Sequence, residues 1–422
     1  MSALTARNTT LAKRLAARES RNVTFLTDGF PAFWETASGA TVVDVDGNEY
    51  IECTAAFGVA NAGHCNARVA EAVADQAHRL IHGMGDVHPT AVRVELYERL
   101  AAILPAELNA AFLATTGSEA IETALKSAIL ATGKSRFAAY RGGYHGLSIG
   151  ALAVIGIERF RAPFAGALAC EPVLLDFPRA GVEDAREAGA RALAALEAHR
   201  NLGALVIEPI QSRGGCIVPP DGYLRELRAI CDRLGILLVV DEIFTGFGRT
   251  GDWFAIDRDG VVPDILCIGK AMGSGVPISA TIGRRAIMDA WPASTGEALH
   301  TSTFLGNPLG CAAAIATIEE IGRLQLVARA RHLGNRLGAA LEALRPDPNV
   351  VDIRGRGLFW GVQLKDAATA FRVVAGALAS GVVFLQSGAQ GDTIAISPPL
   401  VIEPAQLDRA IHILRQSLGE SA

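Results

Sequence analysis

Only five of the 39 basic residues in this 422-residue chain are lysines; the other 34 are arginine. Lysine is so scarce that each one can be weighed for chemistry. Lys13 lies in a polar N-terminal segment, Lys126 in a helix-patterned stretch, Lys134 at a predicted helix end, and Lys365 beside Asp366 after a predicted strand. Lys270 differs. It ends the apolar run DILCIG and precedes the small-residue stretch AMGSGVPIS. A lysine at the C-terminal end of a buried parallel strand points into the crevice where α/β proteins bind ligands. Desolvation there lowers the amine pKa and makes it a Schiff-base nucleophile. A lysine that merely snorkels from a strand end would show the same local pattern.

Asp241 and Glu242 end the most hydrophobic run in the chain, ILLVV. A carboxylate there is costly unless it meets a cation or a donor. A pyridinium nitrogen is a suitable partner, as in sites for pyridoxal 5′-phosphate (PLP); a helix cap or an ion pair is the plainer alternative. Thr115-Thr116-Gly117-Ser118-Glu119 follows an apolar run and opens a helical one. Such a helix start offers free N–H groups to a phosphate, although plain N-capping by Thr116 or Ser118 would explain it equally. Gly246-Phe247-Gly248-Arg249-Thr250-Gly251 matches G-x-G-x-x-G. It does not lie between a strand and a helix, so a dinucleotide site is not expected.

The elements that must carry these residues follow from the apolar pattern. Residues 40–53 read as a hairpin turning at Asp46-Gly47-Asn48, and residues 66–82 and 90–103 as helices. From about residue 110 to 300, short apolar runs alternate with helical stretches. This predicts an α/β fold with a mostly parallel sheet flanked by helices. Residues 308–344 read as helical. The remainder predicts a small α+β domain that packs with the N-terminal hairpin. The expected division is 1–65 joining the small domain, 66–307 as the large domain, and 308–422 as the C-terminal small domain.

Composition narrows the function classes. The net charge is −5 and half the residues are hydrophobic, which argues against a disordered chain and a nucleic-acid binder. The seven cysteines form no CxxC pair, so neither a metal ribbon nor a disulfide scaffold is expected. No apolar run approaches membrane-spanning length. The N-terminal stretch lacks the apolar core of a secretory signal, and the expected compartment is the cytoplasm.

Taken in order, TTGSEAIETALK, GGYHG, VIEPIQ, DEIFTGFGRTG, CIGKAMGSGVPIS, HTSTFLGNP, RGRGLFWGVQL and SPPLVI resemble the class III aminotransferases, PLP enzymes of fold type I. The resemblance covers nearly the whole chain. It implies that Lys270 forms the Schiff base with PLP and shuttles the proton, and that Asp241 keeps the ring nitrogen protonated. It implies phosphate binding by Gly117 and Ser118, ring stacking by Tyr144 beside His145, packing on the opposite face by Ile243, and support by Glu208. Thr303 would reach the phosphate of a neighbouring subunit, which implies a homodimer or larger assembly. The expected reaction moves an amino group from an amine or amino acid to a keto acid such as pyruvate or 2-oxoglutarate. Racemisation, epimerisation and decarboxylating transamination on the same scaffold stay open, as does a non-catalytic PLP-fold protein.

The departures from the family bear on substrate. Phe244 stands where many members have glutamine. Ala395 stands three residues before the Pro-Pro pair, where members acting on α-carboxylates or 4-aminobutyrate often have arginine. Arg213 stands where those members have glutamate. Arg213 is therefore a candidate substrate-carboxylate anchor, since guanidinium binds carboxylate bidentately. Trp34, Phe57 and Phe244 are candidates for an apolar pocket that favours an ω-amino acid or amine donor over ornithine or acetylornithine.

Overall fold

The computed structural model describes residues 6–27, 30–168 and 171–419. A seven-stranded sheet lies at its centre. Its order is Leu108–Ala114, Ser279–Arg284, Ile265–Ile268, Leu237–Asp241, Leu202–Ile207, Arg136–Tyr140 and Val173–Leu175. Ser279–Arg284 runs antiparallel to both its neighbours, and the other strands share one direction. Leu202–Ile207 and Ile265–Ile268 are buried at every residue. This explains their unbroken apolar sequences: helices cover both faces of the sheet.

Strand alternation divides the core. Val206 and Val239 pack with Ala120, Ile121 and Ala124 of the helix Gly117–Thr132. Leu205, Ile207, Leu238 and Val240 pack on the opposite side with Leu224, Leu227 and Ile230 of the helix Tyr223–Leu234. Truncating one of these fully buried leucines to alanine costs about 2–5 kcal/mol.

The hairpin forms as expected, with Thr41–Asp44 antiparallel to Glu49–Glu52 and Val42 opposite Tyr50. Its outer strand joins a distant segment: Val382–Val383 lies parallel to it, Val382 opposite Ile51. Residues from both ends of the chain therefore share one small sheet. A second small sheet is built from Val350–Arg356, Phe359–Leu364, Thr393–Ile396 and Leu385–Ser387.

Two expectations need refinement. Residues 308–344 form two helices, Pro308–Arg323 and Leu326–Glu342, because Gln325 takes a left-handed conformation (φ 51°) between them. Ser279–Arg284 has no counterpart in the sequence reading. Five cysteines are buried, Cys65 is exposed, and Cys170 lies outside the described residues. Among the described residues, no helix is long and apolar enough to cross a membrane.

Candidate active site

The strand Leu237–Asp241 delivers Asp241 to the C-terminal edge of the sheet, and the neighbouring strand Ile265–Ile268 delivers Lys270 two residues past its end. Asp241 pairs with Cys267 in register, so the two strand ends lie side by side. Asp241 is 4% exposed. One carboxylate oxygen accepts the Ile243 N–H (3.0 Å), and the other lies 2.7 Å from Nδ1 of the buried His145. Burial alone would lower the His145 pKa. The Asp241 hydrogen bond and charge, with Glu208, push it up instead.

Lys270 is partly buried and takes φ 46°. A non-glycine residue in the left-handed region costs about 1–3 kcal/mol, and such strain gathers at functional positions. Its ammonium lies 4.9 Å from the centre of the Phe244 ring, and Phe244 in turn packs on Phe359 (4.6 Å between ring centres). Desolvation pushes the Lys270 amine down and Arg213 adds to this, while Asp241 and Glu208 oppose it.

Glu208 follows the strand Leu202–Ile207 and is buried. It accepts the Tyr144 N–H (2.8 Å), the Ser212 N–H (2.9 Å) and the Ser212 hydroxyl (2.6 Å). Burial raises its pKa, Asp241 adds to the rise, and His145 and Ser212 oppose it. Glu208 thus ties together the loop of Tyr144 and the loop of Arg213. The Tyr144 ring is edge-on to Phe160 (5.8 Å).

Arg213 is partly buried, and its guanidinium makes no hydrogen bond or ion pair with any described residue. Desolvation lowers its pKa, Arg159 adds to the fall and Tyr144 opposes it. Among the described residues Arg213 is a cation without a hydrogen-bonded or ion-paired partner, in the field of Lys270 and Tyr144.

The helix Gly117–Thr132 begins with a full capping box: the Thr116 side chain accepts the Glu119 N–H, and Glu119 receives the N–H groups of Thr115 and Thr116. The first-turn N–H groups beyond the cap are free of intrahelical partners. Gly117 lies against Ile243, and a Cβ there would come within 2.9 Å of Ile243 Cδ1. A Cβ at Gly146 would come within 1.9 Å of Ser118 Oγ, which accepts the Leu147 N–H. The loop after His145 is thus drawn tightly over the helix start.

The structure brings together Lys270, Asp241, His145, Glu208, Tyr144, Gly117, Ser118 and Ile243, with Arg213 at their edge. It does not bring Thr303 to them within this chain; Thr303 is exposed in a segment that leads to the helix cap Asn307. Trp34 is also exposed and packs edge-on to His64 (6.0 Å). Phe57 is 58% exposed, and a Cβ on its neighbour Gly58 would come within 3.1 Å of the Phe244 ring. No spacing signal in the sequence marks the packing of Phe359 on Phe244 or Ser212 as a partner of Glu208. The glycine loop Gly246–Gly251 serves structure. Its Arg249 is fully buried and donates to the carbonyls of Leu358 (2.9 Å) and Pro398 (2.6 Å) and to Asn61.

Comparison with known proteins agrees with this geometry. The family model described as aminotransferase class-III matches residues 26–418. An acetylornithine aminotransferase of Methanosarcina mazei is 38% identical over 92% of this chain and 92% of its own. An amine transaminase from an uncultivated Pseudomonas species, solved in its PLP-bound form, has a TM-score of 0.89 at 29% identity and covers 96% of this chain and 99% of its own. The ornithine aminotransferase of Toxoplasma gondii ME49 has a TM-score of 0.87 at 30% identity, covering 98% and 95%. The chain belongs to the class III aminotransferases, PLP-dependent enzymes that transfer an amino group to a keto acid.

Proposed function

We propose that the crevice at the ends of Leu237–Asp241 and Ile265–Ile268 is the working site of this aminotransferase, with Lys270 and Asp241 as its catalytic pair. The observation that carries the reading is Lys270 itself. It joins a strained backbone to a desolvated amine over the Phe244 ring, in the field of a carboxylate already oriented by a buried histidine.

The residues fit PLP. The small Gly117 and the drawn-in Gly146 leave a helix start with free N–H groups and the Ser118 hydroxyl for a phosphate. Asp241 offers a charge for a ring nitrogen, Tyr144 and Ile243 supply faces for a ring, and Glu208 holds the Tyr144 loop. When bound, PLP supplies an electron-withdrawing ring that stabilises negative charge at the substrate carbon. The protein supplies the rest. Lys270, its pKa lowered, is available as a neutral amine to bind the cofactor and to carry a proton. His145 buttresses Asp241 and keeps its charge oriented. Phe244 shields the lysine from water.

The donor in this reading is an amine or ω-amino acid, and the acceptor a keto acid such as pyruvate or 2-oxoglutarate. Ala395 is buried in the strand Thr393–Ile396 and offers no charge. Arg213 is left as the cation for a substrate carboxylate, and Phe57 and Trp34 as apolar walls. The relatives named for acetylornithine and ornithine set the comparison against which this preference is tested. The reading also includes cytoplasmic location, the division at residues 65 and 307, and a homodimer in which Thr303 serves the neighbouring site. Exposed apolar residues near that segment, Phe304, Met84 and Ile81, support a partner surface.

The test is a half-reaction screen. The visible band of the PLP-loaded protein is followed against a panel of amines and amino acids, with Lys270→Ala as the control. Bleaching by ω-amino acids or amines supports the reading. A wild-type protein with no visible band after PLP addition would sink it.

A further inference from the structure

Ala55, Ala56 and Phe57 all have positive φ (46°, 46° and 65°), and Gly58 continues the run at 77°. Three consecutive non-glycine residues in the left-handed region persist only where their surroundings over-determine them. Here the surroundings are specific. The run closes a single turn, with the Gly58 N–H on the Thr54 carbonyl (3.0 Å) and the Val59 N–H on the Ala55 carbonyl (2.7 Å). Inside the turn lies the carboxylate of Glu52, fully buried. It accepts the Thr54 N–H and hydroxyl and the Ala56 N–H (3.3 Å), and it meets His64 Nε2 at 2.8 Å. The outside is pinned as well: Ser397 donates to the carbonyls of Cys53 and Thr54, and Leu400 to that of Asn61.

The turn ends where the chemistry is expected. Gly58 lies against the Phe244 ring, which lies under Lys270, and Phe57 projects from the turn largely exposed. We propose that Glu52 is a positioning residue. It holds the left-handed run Ala55–Phe57 in place and so sets where Phe57 stands as the wall of the donor pocket. The inference rests on the reading of Phe57 as that wall. His64, paired with Glu52 and edge-on to Trp34, extends the same device to the second aromatic.

Glutamine keeps the shape of Glu52 but loses the charge. Its amide nitrogen takes the place of one carboxylate oxygen and so turns N–H groups toward either the Thr54 N–H and hydroxyl at Oε1 or the Ala56 N–H and His64 at Oε2. The test uses PLP-loaded full-length enzyme. It measures kcat and KM for one bulky arylalkyl amine and one small amine with the same keto acid, in Glu52→Gln, Phe57→Ala and the double variant. Glu52→Gln is expected to raise the KM of the bulky amine about tenfold relative to the small one. Its kcat should stay within about twofold, with an unchanged visible band. Adding Glu52→Gln to Phe57→Ala should change the preference little further, because both act through one wall.

Unchanged donor preference in Glu52→Gln, with a changed one in Phe57→Ala, overturns the role of Glu52 and leaves the wall standing. The same shift from Glu52→Gln in both backgrounds also overturns it. No change in Phe57→Ala removes the wall itself. If Glu52→Gln does not fold, Glu52→Asp is measured in the same way. Its shorter carboxylate is expected to shift preference in the same direction by less, and an unshifted preference overturns the proposal.

Discussion

The floor and the rim of this crevice are built differently. On the floor, polar groups arrive already answered: Asp241 by His145 and the Ile243 N–H, Glu208 by Tyr144 and Ser212. At the rim, Arg213 has no partner among the described residues, and Phe57 and Trp34 are exposed. A buried polar group must be satisfied by the fold itself, so the floor is complete before any ligand arrives. A cation left unpaired beside such a site is satisfied by what binds there. The floor should therefore govern whether chemistry occurs, and the rim which molecule undergoes it.

Four substitutions probe that division, from the largest effect to the smallest. Lys270→Ala should lower kcat by at least about 10⁴-fold and abolish the visible band of the PLP-loaded protein; retention of both would end the assignment. Asp241→Asn should cost about 10²–10³ in kcat with a modest change in KM, as expected for a charge that acts on the reacting system. A KM effect alone would move Asp241 from floor to rim.

Arg213→Ala should do the reverse. It should raise the KM for pyruvate or 2-oxoglutarate about 10- to 100-fold, the worth of a charge-assisted hydrogen bond, while kcat changes little. Unchanged keto-acid KM values would break the comparison at its clearest point.

The smallest effect concerns Glu242, the neighbour of Asp241 that turns into the core. It is held by the Thr245 hydroxyl and the N–H groups of Ala255 and Ile256. Burial pushes its pKa up to about 7, against those hydrogen bonds. A carboxyl with a raised folded-state pKa keeps a proton that the unfolded chain releases. Its contribution to stability is thus greatest below its unfolded pKa and is lost as pH rises toward 7. The melting temperature of the native protein should fall relative to Glu242→Gln between about pH 5 and pH 7. A difference between the two that does not change with pH would refute the assignment.

The legibility of the molecule follows the same line. The strands that carry Asp241 and Lys270 were plain in the sequence, because burial on both faces demands an unbroken apolar run ended by the functional group. Ser279–Arg284 (SATIGR) was not. Its serine, threonine and glycine are tolerated because Ser279 and Thr281 donate to the Thr116 and Ala120 carbonyls of the neighbouring helix, a partner that no local pattern announces. The turn at Ala55–Phe57 was equally hidden. Alanine favours ordinary helix, and no local pattern marks a run that meets the Glu52 carboxylate on one side and the distant Ser397 on the other. The roles proposed for Asp241, Lys270 and the start of the helix Gly117–Thr132 rest on residue type and place, which the sequence displays. The contact of Gly58 with Phe244 came only from three dimensions.

The pairing of Val382–Val383 beside Glu49–Glu52, with Ser397 on Cys53, bears on how the protein is made. A ribosome that has reached residue 300 has already synthesised the strands that lead to Asp241 and Lys270 and the helix Gly117–Thr132. The Glu52 strand still lacks its outer neighbour, and the turn after it still lacks its clasp. These contacts span more than 300 residues, so their closure entropy is met late. The wall that Phe57 is proposed to form is therefore expected to settle into place after the sheet that leads to Asp241 and Lys270.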